Sequence, residues 1–113
     1  MESILTSVKE ALGIAAEHTY FDNVLIMHIN SVFMDLTQIG VGPAEGFAIE
    51  DATELWSDFI PSTDTVRFEG VKTYMAHKVR MLFDPPNNSA VIAAMERQID
   101  RLEWRLNVNA DSQ

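Results

Sequence analysis

Few residues in this 113-residue chain could do chemistry. Its three histidines, His18, His28 and His77, lie far apart in the sequence and have no neighbouring pattern of metal ligands. Cysteine is absent, which excludes a disulfide framework and a zinc–thiolate site. A Gly-rich phosphate loop, an HExxH pair, an EF-hand loop and a nucleophile elbow are also missing. We therefore predict that the chain is not an enzyme and has no catalytic, cofactor-binding or metal-binding residues.

The polar groups with regular spacing have structural interpretations. His28 falls on the apolar stripe of a predicted helix, where a hydrogen-bonded core histidine is more common than a metal ligand. Near the C-terminus three acids alternate with three arginines, which predicts intrahelical ion pairs on a solvated face and argues against a di-metal carboxylate site. These residues are Glu96, Asp100, Glu103, Arg97, Arg101 and Arg105.

The composition is that of a folded acidic protein. Apolar residues make up 47% and charged residues 22%, which is typical of one globular domain, here residues 1–113. The net charge of −9 opposes DNA binding, because a nucleic-acid binder neutralises phosphates with a basic patch. The same charge suits a wall past which DNA slides without sticking, although surplus acid more often serves solubility.

The sequence also bears on location. Glu2 and the lack of a long apolar run near the N-terminus predict no signal peptide. No segment approaches the roughly 20 apolar residues of a membrane span. We expect a protein that is intracellular or is assembled inside a cell.

Apolar residues at three- and four-residue steps predict the N-terminal helices. The first helix is capped by Ser3 and ends at Gly13, and the second begins with Asp22 as its cap and ends at Gly40. Residues 41–50 hold two glycines and a proline and predict a loop, with extended backbone over 47–49. Asp51 is predicted to cap a short helix that Pro61 ends.

The C-terminal half predicts two longer helices. Caps among residues 62–65 precede the apolar stripe Phe68, Val71, Met75, Val79 and Leu82. This helix must stop near Phe83, because Asp84 precedes Pro85 and a pre-proline residue avoids the helical conformation. Asn88 or Ser89 caps the last helix, whose stripe is Val91, Met95, Ile99, Leu102 and Leu106. The sequence thus predicts an all-α, single-domain bundle of four main helices plus one short helix, with a rigid antiparallel C-terminal pair and a frayed tail over 109–113.

Each main helix carries apolar residues away from its predicted core stripe. Such residues either bury themselves within the chain or contact another subunit, and Trp, Tyr, Met and Arg are enriched in subunit interfaces. The candidate interface residues are Met27, Met34, Tyr74, His77, Met81 and Trp104, together with Arg97 and Arg101 beside the tryptophan.

Several stretches make the chain similar to a known family. They are "ILTSVKEALGI" from Ile4, "FDNVLIMHINSVFMDLTQIGVGP" from Phe21, "DFIP" from Asp58, and "VKTYMAHKVRMLFDPP" with "ERQIDRLEWRLNV" over 71–108. The chain resembles the head–tail connector, or adaptor, proteins of tailed phages, with "LFDPP" and "LEWRLNV" as its most recognisable segments. These segments are packing motifs and contain no catalytic signature.

The resemblance implies a structural virion protein of the neck, assembled in the host cytoplasm. It implies a dodecameric ring of identical subunits that docks beneath the portal protein, lines the DNA channel and offers a platform to a stopper or tail-completion protein. DNA would be only a passing cargo, and no membrane would be involved. Two alternatives remain at this point: a small acidic DNA-mimic or regulatory protein acting as a dimer, and an obligate helical dimer of a cellular complex.

Overall fold

The computed structural model describes residues 3–60 and 65–111, and these residues form five helices. The helices are α1 (Ile4–Ala11), α2 (Asp22–Gln38), α3 (Trp56–Phe59), α4 (Thr65–Phe83) and α5 (Ser89–Asp111). Within those two ranges the sole β feature is an isolated antiparallel bridge between Ser3 and Leu55. The prediction of an all-α fold with four main helices and one short helix is confirmed.

The ends of α1 follow the predicted signals, whereas the start of α2 does not. The Ser3 side chain accepts a hydrogen bond of 3.2 Å from the Thr6 N–H, and Gly13 takes a φ of 78° just after the helix. In α2 the cap position belongs to Phe21, and Asp22 is the first helical residue. The prediction of Asp22 as the cap was wrong, because its carboxylate is directed instead to the Lys9 ammonium, 2.8 Å away.

The segment around Asp51 also differs from the prediction. The helix there is a single turn that begins after Leu55, whose N–H donates to the Asp58 carboxylate at 2.8 Å. Asp51 is not a helix cap, because its carboxylate accepts the Thr53 N–H and hydroxyl in a local turn. Pro61 and the caps predicted at 62–64 lie outside the described residues.

Helix α4 lies at the centre of the fold. It packs against α1 and α2 on one side and against α5 on another, so it buries two faces. Its buried residues, Val71, Tyr74, Met75 and Val79, accordingly form a broad arc of the helix, and α5 contributes two buried residues within its described part up to Val108. The buried core formed by the four main helices is Ile4, Leu5, Val8, Leu25, Ile29, Val32, Phe33, Leu36, Val71, Tyr74, Met75, Val79, Ile99 and Leu106.

The predicted loop over 41–50 is fastened to α2 by one side chain. The Asn30 amide donates to the Ile49 carbonyl at 3.0 Å and accepts the Ile49 N–H at 2.8 Å, as a neighbouring strand would. Ile49 is buried, and Phe33 contacts the Phe47 and Phe59 rings at centroid distances of 5.0 and 4.7 Å. This aromatic cluster closes the end of the core beside α3.

Helices α4 and α5 form the predicted antiparallel pair. Asn88 caps α5, since its side-chain oxygen accepts the Ala90 N–H at 2.8 Å. Within the predicted stripes Leu82 and Val91 are 50% and 46% exposed, so their assignment to the core was wrong. Both residues border open grooves near the link between the helices. Helix α5 continues to Asp111, and fraying of residues 109–113 stays a prediction.

Candidate assembly surfaces

The outer face of α2 is exposed and uncharged. Val24, Met27 and Met34 are 42%, 66% and 68% exposed, which confirms that the two methionines point away from the core. The other exposed positions of the helix, Asn23, Ser31 and Gln38, are polar but neutral. Because the chain carries 17 acidic and 8 basic side chains, a whole helix face without charge is unusual. Depletion of charge and enrichment in Met are typical of the core of a protein–protein interface.

The two acidic residues of α2 form ion pairs with lysines of other helices. Asp22 lies 2.8 Å from the buried Lys9 ammonium, which also donates to the Ala16 carbonyl at 2.9 Å. Asp35 lies 3.2 Å from the Lys78 ammonium of α4. Both carboxylates are therefore engaged with other parts of the chain, and the outer face of α2 keeps its neutral character.

Tyr74, a predicted interface residue, lies inside the chain. Its side chain is fully buried between α4 and α5, and its hydroxyl donates to the Glu103 carboxylate at 2.7 Å. Burial and the hydrogen bond to Glu103 raise the pKa of Tyr74 well above its ordinary value of 10.0. The helical wheel was interpreted as placing Tyr74 opposite the core stripe, but at 100° per residue Tyr74 lies only about 60° from Val71 and flanks that stripe, on a side of α4 that α5 covers.

His77 and Met81 follow Tyr74 along the same face of α4 and are half-buried. Met81 packs against the core, and the His77 Nε2 atom is buried with no hydrogen-bond partner in the described residues. His77 borders a hollow of about 450 Å³ with Ala11, Arg80 and Met95 among its lining residues. These two residues therefore belong mainly to the α4–α5 contact. His28 is half-buried too, with its ring near Phe83.

Helix α5 carries two rows of like charge on its exposed surface. Arg97, Arg101 and Arg105 follow one another at four-residue steps and are exposed. Glu96 and Asp100 form a parallel acidic row, which Trp104, 67% exposed, continues at the next four-residue step, next to Arg101 and Arg105. The predicted intrahelical ion pairs are absent from the described part of α5. Glu103 accepts a hydrogen bond from the Tyr74 hydroxyl instead, and none of the three arginines forms an ion pair with a described acid.

A groove of about 310 Å³ lies where α2, α4 and α5 meet, beside the acidic row. Its apolar lining comes from Met81, Leu82 and Ile99. Its polar lining is Ser31, Asp35, Lys78, Glu96 and Asp100. Sequence reasoning missed this groove, since it forms only where α2, which is distant in the chain, meets the α4–α5 pair.

Neither a metal centre nor a membrane span is found in the described residues. No three His, Asp or Glu side chains within 3–60 and 65–111 are grouped so that they could hold a metal ion. None of the helices described has the length and apolar character needed to cross a bilayer. The exposure and composition of the outer faces of α2 and α5 make them candidates for contacts with other macromolecules.

Comparison with known proteins agrees with that interpretation. Searches of curated proteins and of solved structures find no match. The family model described as "Phage connector protein" matches residues 4–113, almost the entire chain. Its match includes all five helices and therefore every surface described above. The chain thus belongs to the phage connector protein family, and its role is that of a structural component of a phage.

Proposed function

We propose that the chain is the subunit of a head–tail connector ring in the neck of a tailed phage. In this proposal the ring, dodecameric in the virion, docks beneath the portal protein and lines the DNA channel. Its other end offers a platform to the stopper or tail-completion protein, and assembly takes place in the host cytoplasm. Family membership supports the proposal, since a connector joins two other parts of a particle.

One observation supports the ring most directly: the chain exposes two interface-like surfaces on different helices of one packed unit. The first is the neutral outer face of α2 with Met27 and Met34, and the second is the outer face of α5 with Trp104. Helix α4 packs against both α2 and α5 and fixes their relative orientation. A ring needs such fixity, because a head-to-tail contact closes only if the same angle recurs at every step.

The acidic balance supports the DNA channel. With a net charge of −9, the subunit repels phosphates, so DNA would pass a ring of such subunits without being held. We expect no appreciable retention of the protein on duplex DNA at moderate salt. Retention that weakens steeply as salt is raised would contradict the channel role.

The proposed function is tested by imaging particles assembled with the wild-type chain and with a variant of α2. Density for a ring of this chain between portal and tail is the expected result. The variant Met27→Glu with Met34→Glu should fold normally, because both residues are more than 60% exposed, yet should be missing from the neck. The control, Ala48→Glu with Ala52→Glu, adds the same charge at exposed loop positions and should leave necks intact. Wild-type particles whose necks lack the chain would refute the proposal.

A further inference from the structure

The charge pattern of α5 works against the helix that carries it. Like charges four residues apart destabilise a helix, and α5 has such neighbours in both of its rows. Alternating signs would have avoided this cost. In the described part of the chain Arg97, Arg101 and Arg105 have no ion pair or hydrogen bond that offsets it. The rows of like charge therefore favour binding to a partner outside the chain over stability of the isolated helix.

The basic row and the adjoining tryptophan form one surface, which we term the basic face: Arg97, Arg101, Arg105 and Trp104. It holds three of the eight Lys and Arg side chains of the protein. Arginine and tryptophan are the residue types that most often carry binding energy in interfaces. A partner for this face needs carboxylates at its rim and an apolar recess for an indole ring.

The groove between α2, α4 and α5 has these properties. Leu82, half-exposed, and Met81 provide an apolar lining, and the volume of about 310 Å³ is large enough for one aromatic side chain. Glu96 and Asp100 lie on its α5 side and have no cationic partner in the described residues. The one cation among its lining residues, Lys78, lies 3.2 Å from Asp35 and is thereby engaged.

We infer that the basic face of one copy docks in this groove of the next copy, with its arginines pairing with Glu96 and Asp100 and Trp104 packing on Leu82 and Met81. The inference rests on the proposed function, because it identifies the subunit–subunit contact of the ring and leaves the neutral outer face of α2 to the other partners of the ring. A second copy fits better than DNA, since its groove supplies both the carboxylates and the apolar recess that the basic face needs. Face and groove are different surfaces of one chain, so the contact is heterologous. A pair of copies joined in this way keeps one free face and one free groove, to which further copies can add until the ring closes.

Charge reversal tests the contact, and the expected pattern is loss followed by rescue. The first variant, Arg97→Glu with Arg101→Glu, makes the basic face acidic, and the second, Glu96→Arg with Asp100→Arg, makes the groove basic. All four residues are exposed, so circular dichroism and thermal melting should stay as in the wild type. Each variant alone should lower incorporation of rings into particles at least tenfold. Co-expression of the two should restore incorporation, because acidic and basic surfaces then alternate around the ring.

Imaging of the same wild-type and variant particles distinguishes a wrong subunit contact from a wrong connector role. If the wild-type chain forms a neck ring and either variant alone does so equally well, the groove contact is wrong and the connector role stands. If the wild type itself is missing from necks, the connector role is wrong and the contact fails with it. Failure of co-expression to restore rings would also overturn the contact. So would duplex-DNA binding by the wild type that the first variant loses while its rings persist, since the arginines would then contact nucleic acid.

Discussion

The Tyr74 hydroxyl donates a hydrogen bond of 2.7 Å to the Glu103 carboxylate, and this contact joins α4 and α5 where the tyrosine ring is fully buried. It lies at the middle of the longest helix pair of the fold. Because Glu103 is occupied in this way, it is withdrawn from the neighbouring arginines of α5. The internal contact thus contributes to leaving the basic face free for a partner.

Tyr74→Phe should lower the free energy of unfolding by about 1–2 kcal/mol, because it removes a buried hydrogen bond to a charged acceptor and keeps the ring. Chemical denaturation monitored by circular dichroism measures this change. Tyr20→Phe is the control, since Tyr20 is 82% exposed and should change little. Equal stability of Tyr74→Phe and the wild type would mean that the hydrogen bond contributes nothing net.

The raised pKa of Tyr74 predicts a loss of stability at alkaline pH. Above the unfolded-state value near 10.0 the unfolded chain releases the phenolic proton while the folded chain keeps it, so the free energy of unfolding falls as pH rises. Below that pH the contribution of Tyr74 is complete. Denaturation series at increasing pH should therefore show a steeper alkaline decline for the wild type than for Tyr74→Phe. Parallel declines would contradict the burial of this hydroxyl.

Gly42→Ala should destabilise the fold by more than about 2 kcal/mol. A Cβ atom at this position would lie 2.3 Å from the Phe59 ring, and the backbone φ of 87° disfavours alanine in addition. Gly46→Ala is a matched control, because its φ of 94° imposes similar strain while no heavy atom lies within 4 Å of the added Cβ. Thermal melting of both variants separates the steric cost from the backbone cost, and equal losses would show that the Phe59 ring yields easily.

Lys9→Ala should cost about 3 kcal/mol, because Lys9 is 2% exposed and its loss leaves Asp22 without its cation and removes a buried stem. Lys9→Met retains most of the stem and should recover part of this loss. The control is Arg80→Ala, at an exposed position where a small change is expected. Urea denaturation gives all three values. A Lys9→Ala protein as stable as the wild type would show that the burial of Lys9 is unimportant.

Asn30→Ala should loosen the loop that follows α2. The substitution removes both hydrogen bonds to Ile49 and leaves its peptide groups without partners in a part-buried site, at a cost of about 2 kcal/mol. Limited proteolysis should then cut within 41–50 first, whereas the wild-type loop should resist. Asn23→Ala, an exposed position on the same helix, should leave the cleavage pattern unchanged.

The helices could be predicted because their signals are local. Ser3, Gly13, Gly40, the Asp84-Pro85 step and Asn88 act on backbone within a few residues, and each lies at or beside an observed helix end. Asp22 and Asp51 were misassigned for the opposite reason. Both have the side chain of a good cap, but Asp22 is drawn to Lys9 and Asp51 to Thr53. The residue type alone does not show whether a carboxylate will cap a helix or bind another partner in the fold.

The candidate site was predictable only in part. Met27, Met34 and Trp104 could be identified as exposed because the helices that carry them each have one dominant core face. The burial of Tyr74 could not be predicted, since it depends on α5 covering a second face of α4. A helix that packs against two neighbouring helices shows only a weak periodicity of apolar residues. A helical wheel that assumes one core face therefore assigns residues of the second face to solvent.

The arrangement of α4 and α5 also bears on the order of folding. These helices are adjacent in the chain and joined by the short link 84–88, so their mutual contacts close over a small loop and cost little entropy. Helix α1 is tied to the fold through distant partners, such as the Ile4 N–H donating to the Glu54 carbonyl and the Trp56 indole N–H donating to the Ser7 hydroxyl. We expect the α4–α5 hairpin to be formed in the transition state and α1 to dock after it. The helices that carry the proposed ring contact would then be the first to acquire their native packing.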